Sequence, residues 1–297
     1  MIRRCTMKDY MINVCGDISN VSWLIKGEEA CVLFEAGMAY SADKMIENIK
    51  REIGDRPLDA VILSHSHYDH VAGLPFVKKE WPDAKVYGSA YAAKIMEKPS
   101  ARNMMRDMSE KAAKGAGLDM LPEYDEDMLR IDEILKEGDV LQIGDIRIDV
   151  YETPGHTKCS LSFLVNRDVM LASETFGVFG DGWYLPCFLV GHQMSLDAAA
   201  KLRKVPAKRM FISHIGILEE TNLDKLWDFI EGKLDEVKRE VIDIIRSFHT
   251  EEERKLEMKR RFYDGKVNEK EHPESAFLVN AEATLKLIER EYMEELA

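Results

Sequence analysis

Residues 64–70 read Ser-His-Ser-His-Tyr-Asp-His, three imidazoles and a carboxylate within a few positions. Nitrogen and oxygen donors at this density suit zinc or iron; magnesium and calcium prefer all-oxygen shells. Core packing accounts poorly for the cluster, because imidazoles are costly to bury without partners. In an extended segment His65 and His67 point the same way, so both can reach one ion. Asp69 and His70 follow where the chain turns towards a helix and can reach a second. The apolar run Asp59-Ala60-Val61-Ile62-Leu63 precedes the cluster, after Pro57. Such a run reads as a buried strand, which puts the donors on the loop leaving it, where a rigid scaffold can aim them.

Further donors stand at the ends of later apolar runs. His156 lies in Thr153-Pro154-Gly155-His156-Thr157, where Pro and Gly supply a sharp turn. Glu174 ends Val169-Met170-Leu171-Ala172-Ser173-Glu174, and His214 ends Met210-Phe211-Ile212-Ser213-His214.

The pattern H-x-H-x-D-H, followed in order by Pro-Gly-His-Thr, a strand-end acid and a strand-end histidine, resembles the metallo-β-lactamase superfamily over roughly the first 215 residues. The resemblance implies an α/β (α+β) chain with a four-layer αββα sandwich. It assigns His65, His67 and His156 to a first ion, and Asp69, His70 and His214 to a second. The bridging position usually holds Asp; here it is Glu174, whose extra methylene carries the carboxylate further from the backbone. The family's usual Gly before the last histidine is Ser213 here. Many members carry Asp-x-Gly where this chain has Glu35-Ala36-Gly37, so Glu35 either supports the metal ligands or simply ends a strand. The implied cofactor is a pair of divalent ions, zinc first and iron second. Two such ions can share a water and lower its pKa towards about 7. The resulting hydroxide would be the nucleophile, with Asp69 able to take its proton.

The elements that must position these groups are legible as alternating runs. Val21–Ile25 and Ala30–Phe34 around Lys26-Gly27-Glu28-Glu29 predict a hairpin. Ser41 stands as the N-cap of a helix whose apolar face is Met45, Ile46, Ile49 and Ile53, ended by Gly54. A helix over 73–81, a strand at 84–87 and a short helix at 91–96 follow the histidine motif. Residues 99–137 read as a helical insertion whose methionines 104, 105, 108, 120 and 128 form either an adaptable substrate wall or ordinary helix packing. Strands are expected at 140–143, 146–151, 161–165 and 169–172. A helix should open at Ser195-Leu196-Asp197, and Arg209–Ile212 reads as the last strand. The domain so defined is 1–220. From 221 to 297 the apolar spacing is purely helical, through Leu226, Trp227, Ile230, Leu234, Val237 and Val241, with Ser275 capping a last helix. No flexible linker precedes this block, so it should pack onto the core. His249 and His272 fall in it and read as surface residues. His192 lies between Glu174 and the last strand; with Tyr184 and Phe188 it is a candidate for touching substrate.

Composition narrows the function. The chain has 297 residues and 45% hydrophobic content, enough for a sizeable core. The net charge of -13 disfavours nucleic acid as a partner. The mean hydropathy is -0.29, and no apolar run approaches the ~20 residues that span a bilayer. The five cysteines are scattered without a C-x-x-C, and Met1–Thr6 has no apolar stretch behind it, which points to a reducing cytoplasm. A β-lactamase proper, normally exported, is disfavoured for the same reason. No G-x-S-x-G elbow occurs. The layout is similar to the glyoxalase II-type thioesterases and, in its insertion and C-terminal helices, to the quinolone signal response protein. The expected activity is hydrolysis of a small ester or thioester by a metal-bridged hydroxide. The rivals are a phosphodiesterase, an iron-dependent dioxygenase-like oxidoreductase, and a non-catalytic metal-binding sensor. The expected partner is a small-molecule substrate, with no nucleic acid and no membrane, and the sequence leaves room for a homodimer.

Overall fold

The computed structural model describes residues 10–218 and 222–296. Cys5, the N-terminal segment and residues 219–221 and 297 lie outside the described residues. The chain divides into two compact units. One runs to Tyr151 and adds Phe163–Arg167; the other comprises Glu152–Ser162 and the chain from Asp168 onward.

In the first unit, β1 (Met11–Asn13), β2 (Trp23–Lys26) and β3 (Cys31–Phe34) form an antiparallel meander. The expected hairpin is there, with Trp23 opposite Phe34 and Lys26 opposite Cys31. Helix α1 (Ala42–Ile53) buries Ala42, Met45, Ile49 and Ile53, and Gly54 ends it at φ +62°, in the left-handed region glycine favours. Ser41 does not cap it. A 3-10 turn precedes the helix, and the Ser41 hydroxyl donates to Asp17 Oδ2 at 2.5 Å instead.

Strand β4 (Ala60–Ile62) lies parallel to β3 and leads into the histidine motif. Then come α2 (Tyr68–Val71), α3 (Leu74–Glu80), β5 (Lys85–Ser89), α4 (Ala90–Met96) and α5 (Pro99–Gly115). Only the first half of the 99–137 stretch is a long helix. Its end is β6 (Glu133–Leu135), which joins the sheet parallel to β5, with Ser89 paired to Leu135. The sheet order is β1-β2-β3-β4-β5-β6. Methionine 105 packs into the core of this unit, whereas Met104 and Met120 are exposed. A hairpin of β7 (Val140–Ile143) and β8 (Ile146–Glu152) turns at Gly144.

Next are β9 (Leu161–Val165), β10 (Val169–Ala172), the hairpin β11 (Val178–Gly180) and β12 (Trp183–Leu185), helix α6 (His192–Leu202), β13 (Arg209–Ile212) and β14 (Gly216–Ile217). Within the second unit β13 lies between β10, to which it is parallel, and β14, to which it is antiparallel. The β11–β12 hairpin and β14 were not expected; each strand is three residues or fewer, too short for a periodic signal. Helix α6 starts at His192 rather than Ser195, because a tertiary partner caps it: the His192 N–H donates to Glu291 Oε2 at 3.0 Å.

The second unit ends in α7 (Leu223–Ser247), α8 (Glu251–Phe262), α9 (Glu274–Glu291) and α10 (Met293–Leu296). The apolar stripe of α7 is buried as its spacing predicts, and Trp227 meets Phe176 edge-on at 5.4 Å. Thr250 and Glu253 form a capping box at the start of α8. Pro273, not Ser275, takes the N-cap of α9. Among the described residues no helix is long and apolar enough to cross a membrane.

Candidate metal centre

Each unit carries its own group of donors. In the first, β4 delivers the chain to Ser64, and the His67 carbonyl starts α2 by accepting the N–H groups of His70 and Val71. This short helix brings His70 back towards His65. The ring centroids of His65 and His70 are 4.1 Å apart, and those of His65 and His67 are 4.6 Å apart. His70 Nε2 lies 3.6 Å from Asp69 Oδ2. The motif thus forms one tight group on a strand-to-helix turn.

Glu35 belongs to the same group. It is fully buried, and its Oε1 accepts the Ser64 N–H at 3.0 Å and lies 3.5 Å from His70 Nδ1. Donor atoms of Glu35, His65 and His70 all fall within 4.8 Å of one another. Its φ of +59° is costly for a residue with a Cβ. The strain is held in place locally: the N–H groups of Ala36 and Gly37 both donate to the His70 carbonyl, at 2.8 and 3.1 Å. Glu35 thus directly follows the end of β3 and at the same time stands among the donors.

In the second unit, His156 sits on the Thr-Pro-Gly-His turn. The Gly155 carbonyl accepts the N–H groups of Leu189, Val190 and Gly191, which ties this turn to the loop before α6. The His156 N–H donates to Thr175 Oγ1 at 3.3 Å, and that hydroxyl donates to the Thr153 carbonyl at 2.6 Å. His156 Nδ1 lies 2.6 Å from the Cys187 carbonyl. A carbonyl only accepts, so Nδ1 carries a proton. Nε2 faces Glu174 Oε2 at 3.3 Å. With Nε2 deprotonated, as a metal ligand must be, the two atoms offer a cation a pair of donors. The other carboxylate oxygen, Oε1, is 3.2 Å from His214 Nε2.

These separations fit a coordination shell. With metal–ligand bonds of ~2.0–2.2 Å in a tetrahedron, the ligand–ligand edge is about 3.3–3.6 Å. Glu174 therefore offers one oxygen to the shell of each of two imidazoles. The residues present fit a bound transition metal by donor type and by spacing.

His214 stands in the turn after β13 with φ +66°. Its ring is met edge-on by His272, centroids 5.8 Å apart. The sequence reading of His272 as a surface residue is overturned: it is 9% exposed, between His214 and Trp183. His249 is exposed as expected.

The candidate substrate residues all have partners inside the second unit. His192 is fully buried; its Nε2 lies 3.1 Å from the Leu234 carbonyl and its Nδ1 2.5 Å from the Tyr292 hydroxyl. The same donor logic gives Nε2 the proton and makes Nδ1 the acceptor. Burial holds its pKa below the ordinary histidine value. Tyr184 donates to the Phe176 carbonyl at 3.0 Å and stacks on Phe179; burial pushes its phenol far up. Phe188 is fully buried against His192. The groups touching the donors that sequence reasoning missed are the Cys187 carbonyl, Thr175 and His272. A backbone carbonyl and a ring contact leave no sequence signal; Thr175, next to Glu174, could have been flagged by adjacency.

A family model described as the metallo-beta-lactamase superfamily matches residues 15–214. Over 204 residues the chain is 26% identical to the probable metallo-hydrolase YqgX of Bacillus subtilis, covering 68% of this chain and 87% of that protein. It is 23% identical over 158 residues to a hydroxyacylglutathione hydrolase of Buchnera aphidicola, covering 53% of this chain and 48% of that enzyme. The chain thus spans about half of that relative's length. Among solved structures, a metallo-beta-lactamase family protein from Thermus thermophilus superposes with a TM-score of 0.61 at 17% identity, covering 91% of this chain and 88% of that one. A superfamily protein from Sulfolobus tokodaii gives 0.60 at 17% identity, covering 94% and 97%.

Proposed function

The chain belongs to the metallo-β-lactamase superfamily, and we propose that it is a metal-dependent hydrolase of a small ester or thioester. We assign the αββα catalytic domain to residues 1–220, just beyond the family match, and 221–297 to its helical extension. In this reading, which follows the family resemblance, His65, His67 and His156 would hold one ion, Asp69, His70 and His214 the other, and Glu174 would be shared by both. The observation that carries the reading is the Glu174 carboxylate, with its two oxygens 3.3 and 3.2 Å from two different imidazoles.

Bound there, a pair of zinc or iron ions supplies Lewis acidity and a water acidic enough to attack near neutral pH. The chain supplies the rest. The Cys187 carbonyl locks the His156 tautomer, and Glu35 orients His70 and the Ser64 amide. Asp69 accepts the proton of the attacking water. No serine or cysteine nucleophile is needed.

The thioester preference draws support from the hydroxyacylglutathione hydrolases among the relatives. The charge of -13 supports a small substrate rather than a polyanion. We place the protein in the cytoplasm on its cysteine pattern.

The test is turnover by purified protein, metals quantified, on acyl-CoA thioesters, aryl esters and lactones, with a bis-aryl phosphate alongside. Turnover that a chelator abolishes and zinc restores is expected. No turnover on any ester or thioester with both ions bound refutes the proposal. Faster cleavage of the phosphate diester would move the assignment to a phosphodiesterase.

A further inference from the structure

His214 sits on backbone that most residues avoid. A left-handed φ costs a residue with a Cβ roughly 1–2 kcal/mol and persists where surrounding contacts hold it. Glu174 is one such contact. Another comes from the connection between α8 and α9. The His272 ring stands edge-on to the His214 ring, with planes at 69°.

His272 is itself held from several directions. On its other side the ring meets Trp183 of β12, centroids 5.2 Å apart. Its N–H donates to the Asn268 carbonyl at 2.9 Å, and its own carbonyl accepts the Tyr263 hydroxyl at 2.6 Å. Tyr263 is buried and packs against Phe277 of α9, ring centroids 5.0 Å apart. Pro273 follows directly. The connection between α8 and α9 is thus anchored on both sides of a residue whose ring lies against a donor imidazole.

The torsion that turns an imidazole about its Cβ–Cγ bond is broad and soft. A donor free to turn must be ordered when the ion arrives, which costs affinity. A neighbour that blocks the turn removes part of that cost beforehand. We infer that His272 is a positioning residue for His214, so that the α8–α9 connection forms part of the supporting layer of the metal centre. The inference rests on the dinuclear reading above. Groups hydrogen-bonded to metal-ligating histidines change metal affinity by about 10–100-fold when removed, and a ring contact that only blocks rotation should act at the lower end of that range.

The experiment titrates metal-free wild type, H272A and H272F with Zn²⁺ alone and with Co²⁺ alone. The melting temperature of each metal-free protein is recorded beside it. Wild type should hold two equivalents. H272A should keep one at wild-type affinity and bind the other at least about tenfold more weakly, with the visible Co²⁺ spectrum of that site altered. H272F keeps an aromatic edge in place and should restore most of the loss. Wild type and H272A both holding two equivalents equally well overturns the inference alone. So does H272F failing as badly as H272A. Wild type holding fewer than two equivalents overturns the dinuclear reading, and the role of His272 with it.

Discussion

The substitution Glu174→Asp tests how this chain uses its departure from the family's usual aspartate. The strand β10 ends at Ala172, and Glu174 opens a 3-10 turn over Glu174–Phe176. Shortening the side chain by one methylene withdraws the carboxylate by about 1.5 Å. The 3.3 and 3.2 Å spans to His156 and His214 then open to roughly 4.5–5 Å, beyond the ~3.3–3.6 Å edge of a shared shell. The backbone cannot advance to compensate. Ser173 N–H donates to Ser162 Oγ at 3.1 Å, Thr175 Oγ1 is tied to the Thr153 carbonyl, and Gly177 N–H closes on the Glu174 carbonyl at 2.9 Å. The variant should bind one of its two Zn²⁺ about 100-fold more weakly, or about 2.8 kcal/mol, as read by chelator competition on metal-free protein. Glu174→Gln removes the charge but not the length. With His156 Nε2 unprotonated and no metal bound, it should melt no lower than wild type. Two Zn²⁺ bound to E174D within threefold of wild type would refute the reasoning, because the reach of the longer side chain would then be dispensable.

Gly155→Ala should unfold at a temperature several degrees lower and lose metal as well. Gly155 has φ +148°, and an added Cβ would lie 2.2 Å from Ser195 Oγ and 2.7 Å from Thr175 Cγ2. A cost of about 2–3 kcal/mol is expected, read by calorimetry and by zinc stoichiometry. His192 supplies a pH dependence. Its pKa is lowered by burial, so the unfolded chain takes up the proton first. The stability it contributes is complete above about pH 6.5 and drains away as pH falls below that. In metal-free protein the stability gap between wild type and His192→Gln should therefore shrink between about pH 7 and 5; a constant gap contradicts the assigned neutral tautomer.

Much of the architecture was legible because it is written at short range. The strands at 31–34, 60–62 and 169–172 follow from apolar runs, and α1 and α7 from the 3.6-residue spacing of their buried faces. The donors were legible for a similar reason: imidazoles and carboxylates gathered at strand ends contribute little to packing and are costly to bury unpaired, so their density alone points to a cation. What decided the rest is contact between segments far apart in the chain. The Ser41 hydroxyl turned to Asp17 rather than to its helix, and Glu291 set the start of α6 three residues earlier than Ser195. The Cys187 carbonyl fixed which nitrogen of His156 bears the proton. His272, in a segment that looks like solvated helix, became the neighbour of His214 only through the return of the chain between α8 and α9. Periodicity and propensity report the local backbone; burial and hydrogen-bond partners are properties of the folded whole, and there alone was the supporting layer of the candidate centre determined.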